Sequence, residues 1–258
     1  MCGIAGFNLT ERSTVARTAA ARILLAGIAE RGADAAGYAY RNGSRAAHVH
    51  KQRSGASALL GRVDLPDRTH QLLVHVRDYT KGHPRIEANN HPVRHGTVVG
   101  VHNGIILNDD EIFARHAWER DQSDMTVDSE AIFALAEAFE GVEAFEQLRG
   151  SMATAWLDEC RPELFLARGV GRPLWIGYGR DETFFASTTR ALELLERYLN
   201  VELQIEEVPE GSHLALAPEG EIRSRSFRPD RYFEETPLPA VRAPHEGDYC
   251  LRILPGLV

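Results

Sequence analysis

Apolar positions along the chain change period several times, and each change marks an element. Val15, Ala19 and Ile23 repeat at helical spacing beside Ala16, Ala20, Leu24 and Ile28, which predicts a helix capped by Ser13 or Thr14. It ends near Arg31-Gly32-Ala33-Asp34, a turn leading into a strand over 37–40. Asn42-Gly43 reads as a hairpin turn into a strand over 46–50. Over 71–76, Leu72, Val74 and Val76 alternate with Leu73, His75 and Arg77, the period-two pattern of a strand. A second strong strand is predicted over 97–101. A helix is predicted over 129–140, with Ile132, Leu135, Ala136 and Phe139 on one face. Short strands follow over 152–157, 163–167, 174–178 and 183–186. A helix over 190–199 precedes strands over 201–208, 212–216 and 221–227. Many antiparallel strands, with helices clustered between groups, predict an α+β layered sandwich.

Composition narrows the setting. At 258 residues the chain is long enough for one large domain or two small ones. Hydrophobic content of 43% and charged content of 26% are those of a globular protein. A formal charge of -8 argues against non-specific binding to nucleic acid or to an anionic membrane. No apolar run approaches the roughly 20 residues of a membrane span. The polar stretch Asn8 to Ser13 sets the expectation of a chain without a signal peptide. Cys2, Cys160 and Cys250 form no disulfide or zinc pattern, so a reducing cytoplasm is expected, with Cys160 and Cys250 inert. His48-Val49-His50 and the histidines from His70 to His102 lack a clear ligand spacing, so no metal site or other cofactor is expected. Pro229, Pro237, Pro239, Pro244 and Pro255 crowd the C-terminus. The expected organisation is therefore one domain over 2–227 and an irregular tail over 228–258, lying over the core or docking a partner.

The candidate chemistry begins at Met1-Cys2-Gly3-Ile4. Removal of Met1 puts a thiol and a free α-amine on one residue, a nucleophile with its own base. The amine titrates near about 7.7–8.0 and the thiol near about 8.5, close to the working range. Three further segments bear on it. His75-Val76-Arg77-Asp78-Tyr79-Thr80-Lys81-Gly82 sets an arginine at a strand end, followed by residues that can turn the backbone toward a ligand. Val101-His102-Asn103-Gly104 offers a side-chain amide and an unhindered backbone N–H, the parts of an oxyanion hole. Thr126-Val127-Asp128-Ser129-Glu130 places an acid at the start of an amphipathic helix.

With these segments in this order, the sequence resembles the class II glutamine amidotransferase domain, an N-terminal nucleophile hydrolase. The resemblance runs from Cys2 to about Phe227 and is closest to the glutaminase halves of glucosamine-6-phosphate synthase and purine amidophosphoribosyltransferase. Arg31-Gly32-Ala33-Asp34-Ala35-Ala36-Gly37 matches the family's Arg-Gly-x-Asp-x-x-Gly turn, and His91-Pro92 its His-Pro before the oxyanion strand. Gly171-Arg172-Pro173-Leu174-Trp175-Ile176-Gly177 and Phe184-Phe185-Ala186-Ser187 match two later strand motifs. The resemblance implies an αββα four-layer sandwich of two mainly antiparallel sheets. It implies that Cys2 is the nucleophile, that Asn103 and Gly104 stabilise the oxyanion, and that Arg77 pairs with the substrate α-carboxylate. Asp128 holds the α-ammonium and Thr80 shapes the pocket. Arg31, Asp34 and His91 are support. The substrate is L-glutamine, with ammonia passed to a separate synthetase or transferase subunit, since no acceptor domain is expected in a chain of this length. Asp78 and Lys81 depart from the synthase pattern, which has an aromatic residue and a histidine there. Both bear on the lid over the pocket.

Other readings stand beside these. Cys2 reads as a structural thiol, Arg77 as a strand-end surface charge, Asp128 as a helix N-cap, and Asn103-Gly104 as a hairpin turn. Lys81, His83 and Arg85 read as a solvated basic group. At the level of function the alternatives are an amidase acting on another γ-glutamyl compound and a non-catalytic glutamine-binding regulator.

Overall fold

The computed structural model describes residues 2–233 and 239–258. Met1, whose removal is expected, and Pro237 of the proline-rich tail lie outside the described residues. Thirteen strands and six helices are ordered β1 (Gly3–Leu9), α1 (Arg17–Ile28), β2 (Ala35–Arg41), β3 (His48–Gln52), α2 (Ala56–Leu59), β4 (Gln71–Arg77), β5 (Val93–His95), β6 (Val98–Ile106), α3 (Asp109–His116), α4 (Glu130–Ala138), β7 (Gly150–Asp158), β8 (Leu164–Arg168), β9 (Trp175–Tyr178), β10 (Glu182–Ala186), α5 (Thr189–Leu199), β11 (Gln204–Glu207), β12 (Ser212–Leu216), β13 (Ile222–Ser226) and α6 (Pro244–Ile253), counted among the described residues. No helix among them is long and apolar enough to cross a membrane.

The strands form two antiparallel sheets, in the orders β11-β9-β10-β1-β4-β2-β3 and β13-β12-β8-β7-β6-β5. Alternation along β1 and β4 explains why two layers of core are needed. Ala5, Phe7 and Leu9 of β1, with Leu72 and Val74 of β4, pack under Leu24 and Ile28 of α1, Leu192 of α5 and Leu254 just past α6. The alternate positions Ile4 and Leu73 face the second sheet, meeting Val99, Val101, Ala153 and Leu166. The far face of that sheet carries Val98, Trp156 and Phe165 beneath Ile112 and Phe113 of α3 and Phe133 of α4. The result is the expected αββα sandwich, with both sheets buried on both faces where they overlap. Gly6 is needed where β1 and β4 pair, because a Cβ there would lie 2.0 Å from the Leu72 carbonyl oxygen.

Several local expectations change. Neither Ser13 nor Thr14 caps α1: its N-cap is Ala16, with no side-chain cap. Ser13 turns away, donating to Glu182 Oε1 at 2.6 Å and accepting from the Val15 N–H at 3.3 Å. Arg17 instead reaches back to the Val15 and Ser13 carbonyls. Asn103-Gly104 is not a hairpin turn, since β6 runs through it to Ile106 in register with β7. The stretch expected to be irregular carries α6. Pro244 begins it, a position where the missing N–H costs nothing. Cys250 and Leu254 are fully buried, and the Arg242 and Ala243 N–H groups donate to the Glu30 carbonyl.

If α6 belongs to the core, Leu254→Ala should lower unfolding free energy by about 2–5 kcal/mol in urea titration, as for other fully buried leucines. A change below about 0.5 kcal/mol would mark this end as peripheral.

Candidate active site

Cys2 stands at the mouth of the sandwich, one residue before β1, a central strand flanked by β10 and β4. It is half-buried. Its thiol donates to the Asp78 carbonyl at 3.4 Å, and its own carbonyl accepts from Arg31 Nε at 2.8 Å. Burial pushes the thiol above its ordinary range, opposed by the Asp78 hydrogen bond and the Arg77 charge. Asp34 N–H donates to the Arg77 carbonyl at 2.9 Å, and the Asp34 carboxylate accepts from the Tyr79 N–H at 2.9 Å. The Arg31–Asp34 turn thus fastens the start of β1 to the end of β4 and stands behind the thiol.

Arg77, the last residue of β4, is not a surface charge but is 2% exposed. Its guanidinium donates to Asn90 Oδ1 at 2.6 Å and to the Lys81 carbonyl at 3.0 Å, and also to the Gly82 carbonyl. Burial pulls its pKa below the usual range, with Cys2, Asp128 and Asp34 opposing. The loop after β4 therefore folds back across the strand end. Beneath it lies a cavity of about 10 Å³, lined by Cys2, Arg77, Thr80, His91, Gly104 and Asp128 among others. That is about the room of one water.

On β6, Val99 and Val101 face the first sheet, and Asn103 continues that row. Asn103 is fully buried, yet both amide atoms lack a hydrogen-bond partner among the described residues. An unpaired buried amide is costly, and its open donor is available to a ligand. Gly104 has φ 152°, and a Cβ there would lie 2.0 Å from the Ser151 carbonyl oxygen. No side chain fits at that point of the cavity wall.

Asp128 is buried just before α4 but does not cap it: its Oδ2 accepts from the Ile106 N–H at 2.6 Å. Burial raises its pKa to about 6, with the Ile106 bond opposing. Asn89 positions it, since Asn89 Oδ1 accepts from the N–H groups of Thr126 and Val127 at 2.7 and 3.0 Å.

Three histidines fill the space around these groups. His91 stacks on His75 with ring centroids 4.1 Å apart, and both its nitrogens are buried and unpaired among the described residues. His75 Nε2 donates to the His102 carbonyl at 3.1 Å. His102 Nε2 donates to the Ser151 carbonyl at 3.3 Å, so its Nδ1 accepts from Ser129 Oγ at 2.8 Å. Burial holds all three neutral, with His75 and His102 lowered to about 3 and His91 well below its ordinary value. His83 and Arg85 are exposed, as expected of a solvated basic group, whereas the partly exposed Lys81 is also paired, with Asp109 Oδ1 at 2.7 Å and Asp110 Oδ2 at 2.9 Å. Sequence reasoning also missed Asn89, Asn90, His75, His102 and Ser129. His75, His102 and Ser129 lie inside the segments it singled out, and Asn89 and Asn90 just before His91-Pro92, so their places were marked but their roles were not.

The buried groups set a pH dependence. Unfolded, the histidines bind protons near about 6.5; folded, they do not until far lower, so stability falls as pH drops below about 6.5. Asp128 acts oppositely, because its folded pKa of about 6 lies above its unfolded value of 3.8. His213, which burial lowers to about 4, adds a fourth histidine on the same side, and four groups outweigh one. Urea titrations should show stability dropping steeply from pH 6.5 to 5, each histidine contributing about 1.4 kcal/mol per pH unit. His75→Gln should flatten the slope by about one third; an unchanged slope would mean that His75 is not held neutral.

A family model described as a glutamine amidotransferase domain matches residues 81–194. The chain is 34% identical over 214 residues to the glutamine–fructose-6-phosphate aminotransferase (isomerizing) of Shigella flexneri, covering 74% of this chain and 32% of that protein. The enzyme of the same name from Escherichia coli K12 is 33% identical over 214 residues, with the same coverage of 74% and 32%. Among solved structures, the glutamine phosphoribosylpyrophosphate amidotransferase of B. subtilis, complexed with ADP and GMP, superposes with TM-score 0.68 at 20% identity, covering 87% of this chain and 49% of that one. A structure titled as the allosteric regulatory enzyme of purine biosynthesis superposes at 0.66 and 21% identity, again covering 87% and 49%. At these identities the likeness to solved structures concerns the fold. The chain spans about a third of the length of the curated relatives it matches. Fold, sequence and family model agree that the chain carries a glutamine amidotransferase domain of class II, the N-terminal nucleophile hydrolase type.

Proposed function

We propose that this domain hydrolyses L-glutamine to glutamate and ammonia through a thioester on Cys2. The observation that supports it most is the convergence of Cys2, Arg77, Asp128 and Gly104 on one cavity, with the Asn103 amide buried and unpaired among the described residues one position before Gly104 on β6. With Met1 removed, the α-amine of Cys2 takes the thiol proton. The thiolate attacks the side-chain carbonyl carbon of glutamine, and the carbonyl oxygen becomes an oxyanion held by the Asn103 amide and the Gly104 N–H. The ammonium formed at Cys2 returns the proton to the departing nitrogen, so ammonia leaves and a γ-glutamyl thioester remains. Water, deprotonated by the same amine, then displaces the sulfur and releases glutamate. Arg77 selects the α-carboxylate by its planar fork, and Asp128 selects the α-ammonium. That pair favours a free amino acid over an internal amide.

Ammonia is mostly protonated at neutral pH, and the ammonium ion is no nucleophile. The product therefore passes to a docked synthetase or transferase unit, in keeping with relatives whose names describe amino transfer. The three cysteines are unbonded, which fits a reducing cytoplasm.

The test is steady-state release of glutamate and ammonia from L-glutamine. The wild type should turn over and Cys2→Ala should not. Asn103→Ala should lose about 10²–10³-fold in kcat with a much smaller change in KM, because its amide acts on the developing charge. A large KM effect with kcat intact would make Asn103 a binding residue and remove the oxyanion role.

A further inference from the structure

The outer face of the second sheet carries a hollow that the chemistry at Cys2 does not use. Its floor is one row of paired residues: Trp156 of β7 against Phe165 of β8, Phe165 against Ala215 of β12, and Ala215 against Arg223 of β13. Trp156, Phe165 and Arg223 are bulky and Ala215 is not, so the floor dips at Ala215. The rings of Trp156 and Phe165 lie nearly parallel, with centroids 5.3 Å apart. Phe145, in the 3-10 turn over Val142–Gln147, stands edge-on to Trp156 at 5.6 Å, and Phe139 adds an exposed ring just past α4. The hollow encloses about 430 Å³. That lies within the range of small-molecule pockets, about 300–1,000 Å³. It is separate from the Cys2 cavity. Trp156 pairs with Gly100 and packs in the outer core, whereas Gly104 pairs with Met152 near the other end of β6.

The polar groups around the hollow narrow what it can take. His213 lines it, is 9% exposed, and has its Nδ1 buried without a hydrogen-bond partner among the described residues. Burial, aided by the Arg225 charge, lowers its pKa to about 4, so the ring is neutral and offers one donor and one acceptor. On the rim, acids and guanidiniums pair off. Arg223 holds Glu163, and Arg161 meets Glu140 at 3.3 Å and Asp158 at 3.6 Å. Arg225, exposed and opposite His213 in the β12–β13 register, has no ion pair among the described residues. One open guanidinium suits one carboxylate. A multiply charged anion would also meet the fields of Glu140, Asp158 and Glu163. Flat ring faces on the floor suit a planar ring, which stacks on them better than an aliphatic chain does.

We propose that this hollow is a binding site for a small heteroaromatic carboxylate, its ring seated over Ala215 against Trp156 and Phe165, its ring nitrogen toward His213 and its carboxylate on Arg225. The inference is independent of the glutaminase reading, since it uses no residue of the Cys2 site.

The test is isothermal titration calorimetry of the full-length protein with indole-3-carboxylate, and with indole-3-carboxamide as its uncharged counterpart. The wild type should bind the carboxylate at one site and the carboxamide about fivefold more weakly, the scale of one exposed charge pair. Arg225→Gln, a change at an exposed position, should weaken the carboxylate about fivefold and leave the two probes equal in affinity. Ala215→Leu, verified as folded by circular dichroism, should abolish saturable binding of both, because the larger side chain fills the dip. Absence of saturable carboxylate binding to the wild type would overturn the site. So would equal wild-type affinity for the two probes, or binding that survives Ala215→Leu in a folded protein. A dimer in sedimentation velocity that Ala215→Leu dissolves would make the hollow a contact between copies and overturn the small-molecule reading.

Discussion

A guanidinium buried at the end of a strand has to find acceptors for its N–H groups, because a desolvated cation left unpaired is too costly to keep. Arg77 is that cation. Its partners come from the loop that follows β4 and from Asn90, so one requirement bends residues 78–82 back over the strand end and draws 89–90 alongside. Asn89, next in line, fastens 126–127 and delivers Asp128 to the same place. Three separate stretches of chain are thereby gathered around Cys2.

The sandwich supplies the fixed frame for that gathering. β1, β4 and β6 meet across the inter-sheet core, which is apolar through Ile4, Leu73, Val99 and Val101 and turns polar toward the strand ends with His75 and Asn103, while His102 lies on the opposite face of β6 beside Ser129. Burial keeps those histidines uncharged, so they add no positive charge to a site that already holds Arg77. In the ligand-recognition reading, the buried Arg77 guanidinium and the buried Asp128 carboxylate, whose pKa is raised, line one cavity. That arrangement matches the two ends of a free amino acid.

Much of the fold was legible because period-two alternation is strong where both faces are buried. The pattern over 71–76 predicted the two faces of β4 correctly, down to the alternation of Leu72 with Leu73. α3 escaped notice because only Ile112 and Phe113 are apolar and buried in an acidic stretch. α6 was hidden by the prolines crowded around it, although Pro244 begins the helix where proline is tolerated. The Asn-Gly pair was placed at a strand end because that dipeptide usually turns, whereas nine residues of β6 pair through it with β7. The motifs identified the residues that line the cavity. They did not reveal that Lys81 would be tied to Asp109, a contact between residues 28 apart that no local pattern encodes.

The central claim is that Cys2, as the first residue of the mature chain, carries the acyl group. Acid quenching of the enzyme during turnover of L-glutamine, followed by peptide mass spectrometry, addresses it directly. The account predicts an N-terminal peptide that begins at Cys2 and bears a γ-glutamyl group on sulfur, absent without glutamine. An active protein that retains Met1, or an acyl group on Cys160 or Cys250, would contradict it.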